Sequence, residues 1–358
     1  MKIETFGKLS TGEEVSLITL KNKNGCEAVL TDIGASLVKL FVPDRDGRMR
    51  DVVLGYDDPL LYEKNYVCYG ATVGPIANRI AHHRFTLNGQ EYVMSPYGGK
   101  DAMLHCFPDS YVLKKWSFEP EDGPDAQCVT FWIASPDMEG GLPGNREMQV
   151  TYTLTDDNEL MIRYFGLTDK DTLLAPTNHS YFNLDGHDSG PASDHFLQID
   201  AEEIAVEDGD QCPTGEYLAV EGTFWDFRAE KRVGQDFGAS LDGGPAFPGY
   251  DECFIVNGGN VLEDAMRVAS LRSEKSGIVM EVYTDLPSVQ LYTANLGSDD
   301  AHMKFPGKGG IFYPNHAGIA IETQYVPNAI NIENAVVPLV KAGEEMESLT
   351  VYRFLREA

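Results

Sequence analysis

The chain has 358 residues, with 28 basic residues against 56 acidic ones and a formal net charge of −28. Such a charge repels phosphate backbones and anionic lipid surfaces, so nucleic acids and membranes are poor partners. No run of about eighteen apolar residues occurs, and the amino-terminal segment carries charges from its second residue. Neither a membrane span nor a secretory signal is therefore predicted, and we expect a cytoplasmic protein.

The six cysteines are scattered, without a CxxC pair or the close spacing of a zinc site, and we expect them to be reduced. The glycines of segment 70–74 lack the Lys-Ser/Thr of a P-loop and the third glycine of a dinucleotide-binding turn. We expect no metal and no cofactor. No linker or fixed-period repeat divides the chain, so one domain over residues 1–358 is predicted.

The first predicted element in the chain is a β-hairpin. Residues 15–20 and 26–30 are apolar runs that flank the turn residues of segment 22–25. Helical periodicity is weak throughout, and we expect only one or two helical turns, near residues 59–66. The amino-terminal part of the chain therefore indicates β-structure.

A second hairpin is predicted from residues 84–87 and 90–94, because Asn88 and Gly89 accept the positive φ angles of a type I′ turn. A third hairpin pairs residues 148–154 with 159–167, and apolar residues alternate with polar ones in its first arm. Further short strands are predicted at 129–133, 278–283, 289–292, 318–321 and 351–355. The pattern predicts an all-β fold, a large antiparallel β-sandwich whose ligand site lies on a sheet face or at a strand rim.

Two histidines lie in mostly apolar, uncharged segments and are candidates for proton transfer. His179 follows Pro176-Thr177-Asn178, and His105 follows Met103-Leu104. A histidine in such a setting can hold a neutral imidazole that is ready to exchange a proton. The alternative is a core histidine that bonds a backbone carbonyl. We expect the other histidines at surface or loop positions: His82, His83, His187, His195, His302 and His316.

Three charged residues are candidates for the same site. Glu322 closes an apolar strand, where it is either a general base with a raised pKa or a rim carboxylate that reaches water. Asp251 follows Gly249-Tyr250 and either accepts hydrogen bonds from ligand hydroxyls or caps its own turn. Arg79 offers a planar fork for vicinal sugar oxygens, with a structural ion pair as the alternative.

Taken together, these stretches resemble the aldose 1-epimerases, which are often called galactose mutarotases. The blocks Asn-His-Ser-Tyr-Phe-Asn-Leu at 178–184 and Glu-Thr-Gln at 322–324 are specific, whereas Gly-Tyr-Asp alone is a weak signal. The matching segments follow the order of the family over nearly the whole chain: 70–74, 77–80, 104–105, 143–145, 176–184, 249–251, 289–295, 321–324, 327–329 and 342–344.

The resemblance implies an isomerase that interconverts the α and β anomers of free aldoses such as glucose and galactose. It implies a large one-domain β-sandwich that takes a small sugar without a cofactor, and we expect a monomer or weak homodimer. It also implies that Glu322 is the general base and His179 the general acid. The residues implied to bind the sugar, with Asn78 near the pocket, are Arg79, His105, Asp251 and Gln290.

The chain departs from the family pattern at two places beside the expected pocket. Pro75 stands where the family usually has arginine, and Cys106-Phe107 replaces Gly-Gly after Leu-His. These departures leave the reaction class unchanged and affect the expected sugar preference. Phe107 either narrows the site or stacks on a pyranose ring.

Three other functions are alternatives. A glycoside hydrolase would use Asp251 and Glu322 as its two carboxylates and would cleave methyl glycosides, which an epimerase leaves intact. A non-catalytic carbohydrate-binding protein on the same fold would not need both His179 and Glu322. A sugar-phosphate epimerase would require additional basic residues at the pocket, which the acidic composition disfavours.

Overall fold

The computed structural model describes residues 1–124, 126–240, 246–256, 265–296 and 305–357. The first elements are β1 (Lys2–Lys8), β2 (Glu14–Lys21), β3 (Glu27–Thr31), β4 (Ser36–Pro43), β5 (Met49–Asp51), α1 (Pro59–Tyr62), β6 (Thr72–Val73), β7 (Arg79–Ala81), β8 (Arg84–Leu87), β9 (Gln90–Val93) and β10 (Ala102–Leu104). The next are β11 (Ser117–Asp122), β12 (Ala126–Ser135), β13 (Arg146–Thr155), β14 (Glu159–Thr168), β15 (Thr172–Leu173), β16 (Thr177–Asn178), β17 (Tyr181–Phe182), β18 (Phe196–Ile199), β19 (Ala201–Glu207), β20 (Pro213–Ala219) and β21 (Lys231–Arg232). The last strands are β22 (Asp251–Val256), β23 (Met266–Arg272), β24 (Ile278–Thr284), β25 (Ser288–Tyr292), β26 (Ile319–Gln324), β27 (Leu339–Val340) and β28 (Glu345–Arg356). Short 3₁₀ turns lie at Tyr111–Leu113, Glu139–Gly141, Val233–Asp236, Lys308–Gly310 and Ala329–Asn331.

Three large antiparallel sheets contain most of these strands. Their strand orders are β1-β2-β3-β4-β5, then β11-β12-β13-β14-β28-β24-β23-β18-β21, and β17-β26-β25-β22-β19-β20. Two-stranded ribbons pair β7 with β10, β6 with β16, β8 with β9 and β15 with β27. In the described ranges, no helix is long and apolar enough to cross a membrane.

The nine-stranded sheet forms one layer, and the five- and six-stranded sheets pack on it. One cluster of buried apolar side chains draws Leu30 from the five-stranded sheet, Val150 and Tyr352 from the nine-stranded sheet, and Leu291 and Ile321 from the six-stranded sheet. In β13 the residues at 148, 150, 152 and 154 face this core and alternate with partly exposed ones. A period of two places successive side chains on opposite faces, so one face of β13 is apolar.

The predicted β-sandwich is confirmed, as are the three predicted hairpins. The Asn88-Gly89 turn joins β8 to β9 with φ angles of 50° and 78°, as a type I′ turn requires. The predicted helical turn is α1, a single turn in which the Asp58 carboxylate accepts the Leu60 N–H. His195 lies in the loop before β18, but it is not at the surface: it is buried, and its Nε2 accepts the Leu184 N–H at 2.8 Å. His302 lies outside the described residues.

Candidate active site

The seven residues selected from the sequence line one cavity of about 240 Å³ beside the six-stranded sheet. These residues are Asn78, Arg79, His105, His179, Asp251, Gln290 and Glu322. Its other lining residues are mostly aromatic or apolar: Tyr66, Val67, Cys68, Tyr97, Leu104, Tyr181, Tyr292 and Leu296. A concave space with a few convergent polar groups is typical of a small-molecule site.

One wall of the cavity, which we call the sheet wall, is formed by neighbouring strands β22, β25 and β26. Glu322 lies directly opposite Gln290 in the register of β26 and β25, so both side chains point from the same face. Asp251 lies opposite Tyr292, two residues along β25 from Gln290, and therefore joins them on that face. The order of the strands places these three side chains side by side.

The opposite wall, which we call the loop wall, comes from the β7–β10 ribbon and from the segment between β16 and β17. Arg79 opens β7 opposite Leu104 of β10. Beyond this pair, Asn78 and His105 have positive φ angles of 60° and 52°. The His105 N–H donates to the Asn78 carbonyl at 2.9 Å, and the Asn78 N–H donates back to His105 Nδ1 at 3.0 Å. Because both bonds are local, the ribbon determines where the imidazole points.

Glu322 and His179 face each other across the two walls. His179 Nε2 lies 3.4 Å from Glu322 Oε1, and both residues are buried. Glu322 is thus not a rim carboxylate that reaches water, since β26 continues beyond it to Gln324 and every residue of the strand is buried. The second carboxylate oxygen, Oε2, is buried without a hydrogen-bond partner among the described residues. It is free to accept a bond from a ligand hydroxyl.

Burial shifts the pKa values of this pair in opposite directions. Loss of solvent raises the pKa of Glu322 well above its usual range; nearby Asp251 raises it further and Arg79 lowers it. The same loss of solvent lowers the pKa of His179 to about 4. Burial disfavours whichever form is charged, which for the carboxyl is the deprotonated form and for the imidazole is the protonated form.

A metal ion does not fit this cluster, although ligand atoms of His105, His179 and Glu322 lie within 4.8 Å of one another. Nδ1 of His105 already accepts the Asn78 N–H, so the proton of the neutral ring is on Nε2. A metal ligand needs an unprotonated nitrogen, and neither nitrogen of this ring is free. The same arrangement makes His105 Nε2 a hydrogen-bond donor. Burial, with the neighbouring His179 and Arg79, holds the pKa of His105 well below its usual range.

A chain of hydrogen bonds orients the polar groups on the acidic side of the cavity. Gln324 Nε2 donates to Gln290 Oε1 at 3.3 Å, which leaves the Gln290 amide nitrogen to donate to Asp251 Oδ1 at 2.9 Å. Asp251 therefore does not cap its own turn. The Arg79 guanidinium donates to the amide oxygen of Gln211 at 3.1 Å, and it forms no ion pair within 4.0 Å with the residues that the structure describes.

Neither departure from the family pattern, Pro75 or Cys106-Phe107, lines the cavity. Phe107 is buried and does not line the cavity, so it neither narrows the site directly nor stacks on a bound ring. It stacks on Tyr97 with ring centroids 4.7 Å apart and packs against Tyr66 at 5.6 Å, and both tyrosines line the cavity. The Cys106 thiol bonds the backbone of Ile76.

The sequence did not identify Gln211 or the two tyrosines beside His179, Tyr181 and Tyr292, as site residues. Tyr181 and Tyr292 lie within segments that matched the family, and their positions next to His179 and Gln290 were the available signal. Their rings pack around the imidazole of His179, with centroids 4.8 Å and 6.3 Å away. Gln211 lies in a turn that carries no recognisable motif, so only its contacts identify it.

A family model described as aldose 1-epimerase matches residues 16–353. The chain belongs to the aldose 1-epimerase family. It is similar to an aldose 1-epimerase from Escherichia coli (strain K12), with 34% identity over 99% of each chain. It is also similar to a galactose mutarotase from Bos taurus, with 37% identity over 90% of this chain and 89% of the relative.

Solved structures of the same family share the fold over the full length. An aldose epimerase homologue from C. elegans superposes with a TM-score of 0.84 and 32% identity, covering 96% of this chain and 100% of the other. A galactose 1-epimerase from Lactobacillus acidophilus NCFM has a TM-score of 0.82 and 25% identity, covering 100% and 99%. As a member of the aldose 1-epimerase family, this chain is a sugar-binding isomerase with mutarotase activity, as the sequence predicted.

Proposed function

We propose that Glu322 and His179 are the general base and general acid of this mutarotase. The observation that carries the assignment is their facing position, with Nε2 and Oε1 3.4 Å apart in a buried cavity. Opening of a cyclic aldose requires removal of the proton from the C1 hydroxyl and delivery of a proton to the ring oxygen. Glu322 takes the first proton, His179 donates the second, and the C1–ring-oxygen bond breaks to give the aldehyde.

Rotation about C1–C2 then presents the other face of the aldehyde. In closure, His179 takes the proton of the attacking hydroxyl and Glu322 returns a proton to the carbonyl oxygen, which restores the starting state. Each positioned proton transfer typically contributes roughly 10² to 10⁴-fold to the rate. No external proton source is required, because one proton is delivered for each one that is taken.

The opposed pKa shifts support these roles. With the Glu322 pKa raised and the His179 pKa lowered, the pair keeps a single proton over a wide range of pH. The catalytic form has that same total charge and differs only in holding the proton on His179. Moving a proton within a pair costs less than taking one from solvent into a buried site, so the active form is reached without a change in net charge.

We propose that the remaining polar groups bind the sugar hydroxyls. His105 Nε2 and the Arg79 guanidinium are donors, Asp251 is an acceptor, and the Gln290 amide adds to this set; Asn78 lies beside them. Among the described residues that line the cavity, Arg79 is the one lysine or arginine, which favours neutral aldoses over sugar phosphates. The names of the relatives support galactose as a substrate, and we include glucose, its epimer, as a second substrate.

We propose that residues 1–358 act as one domain, since a single apolar cluster joins the three large sheets. The six free cysteines support a reducing compartment, the cytoplasm. A monomer or weak homodimer that uses a small sugar without a cofactor, and without nucleic-acid or membrane partners, agrees with the net charge of −28.

Polarimetry tests the assignment. Freshly dissolved α-D-galactose and α-D-glucose should reach their equilibrium rotations faster with the protein than without it, and Glu322→Gln should remove the acceleration. Methyl α-D-galactoside is the control: it should remain intact, because it has no anomeric hydroxyl to deprotonate. Acceleration that survives in both Glu322→Gln and His179→Gln would contradict the proposed pair, and release of methanol would indicate a hydrolase.

A further inference from the structure

Gln211 connects the two walls of the cavity. Its amide oxygen accepts a hydrogen bond from Arg79 Nη2 at 3.1 Å, and its amide nitrogen donates to Asp251 Oδ2 at 3.3 Å. A glutamine is suited to this place because its side chain is an acceptor at one atom and a donor at the other. The cation of the loop wall and the anion of the sheet wall are thus both held by one neutral group.

The turn that carries Gln211 is built to present it. The Asp208 carboxylate accepts the N–H groups of Asp210 and Cys212 at 2.9 Å and 3.0 Å, and the Gln211 N–H donates to the Asp208 carbonyl at 3.0 Å. Gln211 itself has a φ of 61°, the left-handed region that disfavours residues with a Cβ. A glycine would suit the backbone better, so the backbone alone does not account for a glutamine here.

The turn is also tied to the strand that bears Arg79. The Asn328 N–H donates to the Arg79 carbonyl at 2.9 Å, and the Asn328 side-chain amide donates to the Pro213 carbonyl at 3.1 Å. On the other side, Lys100 Nζ donates to the Gly209 carbonyl at 2.8 Å. The position of Gln211 relative to Arg79 is therefore set on both sides of the turn.

We propose that Gln211 is a positioning residue for substrate binding, which holds Arg79 and Asp251 apart and orients both toward the sugar. The proposal rests on the proposed roles of those two residues. Without the bridge, the guanidinium is free to turn toward the acidic side chains near it, Asp251 and Glu207, and to pair with them instead of with the substrate. One oxygen of Asp251 would also lose the donor that fixes its orientation.

The decisive variant is Gln211→Gly, because glycine removes the hydrogen-bonded bridge and adopts this positive φ without strain. We expect a KM roughly tenfold higher, the scale of a hydrogen bond to a charged group, with kcat within about threefold of the parent protein. The melting temperature should stay the same or rise. Gln211→Glu keeps the acceptor for Arg79 and places a carboxylate against Asp251, so it should also raise KM.

Asp210→Ala is the matched control, since it trims the same turn at a residue whose carboxylate bonds, among the described residues, only the Asp101 backbone N–H at 3.4 Å. It should leave KM unchanged. KM is measured with α-D-galactose and α-D-glucose. If the parent enzyme is active and KM is unchanged in both Gln211 variants, the inference is overturned. If the parent protein itself accelerates neither sugar, the proposed function fails instead, and the two failures are thus distinct.

Discussion

The two walls of the cavity are built in different ways. The sheet wall takes Asp251, Gln290 and Glu322 from three neighbouring strands, where antiparallel register alone sets the spacing. The loop wall takes Arg79 and His105 from a two-stranded ribbon that ends in residues of positive φ. The sheet wall carries the carboxylates, whereas the loop wall carries the cation and the imidazoles.

This division shows where precision in the site comes from. Glu322 is held by a fully buried strand, and His179 is held by two backbone bonds, from its N–H to the Ala71 carbonyl and from the Gly70 N–H to its own carbonyl. Each wall supplies one member of the proposed acid/base pair, so the 3.4 Å separation of Glu322 and His179 depends on how the walls pack together. Sites held by rigid elements and supporting bonds keep catalytic geometry within narrow limits.

The largest effect should come from the sheet wall. We expect Glu322→Gln to lower kcat by roughly 10³-fold, because the amide keeps the shape of the side chain and cannot accept the proton. KM should change by much less. Stopped-flow polarimetry measures both constants, and Glu203→Gln, an exposed position on β19, is the control that should behave as the parent protein. A Glu322→Gln enzyme with near-parental kcat would show that Glu322 is not the general base.

Substitution of His179 on the loop wall should lower kcat nearly as much as substitution of Glu322, and the effects of the two substitutions should not be additive. His179→Gln is expected to lower kcat by roughly 10²-fold or more through loss of the proton donor. The double variant with Glu322→Gln should lose little beyond the Glu322 single variant, since each group is useful only with the other. Losses that multiply fully in the double-mutant cycle would mean that the residues act independently.

The pH dependence should report the pair rather than an isolated histidine. With the His179 pKa lowered to about 4 by burial, a second proton enters the pair only near that pH and leaves no base to start the reaction. We therefore expect kcat/KM to be flat between pH 6 and 7 and to fall about tenfold per pH unit well below 4. At high pH, loss of the single proton removes the acid and activity should fall again. A fall in kcat/KM centred near pH 6.5 would contradict the lowered pKa of His179.

Substitution of the residues proposed to bind the sugar should affect KM more than kcat. Arg79→Leu and Gln290→Leu are each expected to raise KM by roughly tenfold, as loss of one or two substrate hydrogen bonds implies. Titration of the rate with α-D-galactose gives KM. If Arg79→Leu lowers kcat as strongly as Glu322→Gln does, then Arg79 acts in the proton transfer and not only in binding.

The smallest effect concerns the backbone of the loop wall. Asn78 has a φ of 60°, so Asn78→Ala should lower the free energy of unfolding by about 1 kcal/mol, while Asn78→Gly should not. Urea denaturation monitored by tryptophan fluorescence measures both. Equal stability of the alanine and glycine variants would show that the left-handed conformation is not what holds this corner in place.

Much of the fold could be predicted from local patterns. The alternation in β13 identified a strand with one buried face, and Asn88-Gly89 identified the β8–β9 hairpin. Both could be predicted because period and turn chemistry are properties of adjacent residues. The site residues were found differently. Single residues left open alternatives for Glu322 and His179, and the resemblance of whole segments to a family brought them together.

By itself, the sequence determined the hairpins, their turns and the fold class, and its resemblance to a family indicated seven of the side chains that line the cavity. Only the tertiary structure decided that Glu322 is buried inside a strand rather than at its rim, that His195 is buried, and that Phe107 supports Tyr97 from behind. It alone showed that Gln211 joins Arg79 to Asp251. The reason is physical: burial and partnership depend on neighbours brought from distant parts of the chain by strand order, and no local pattern records them.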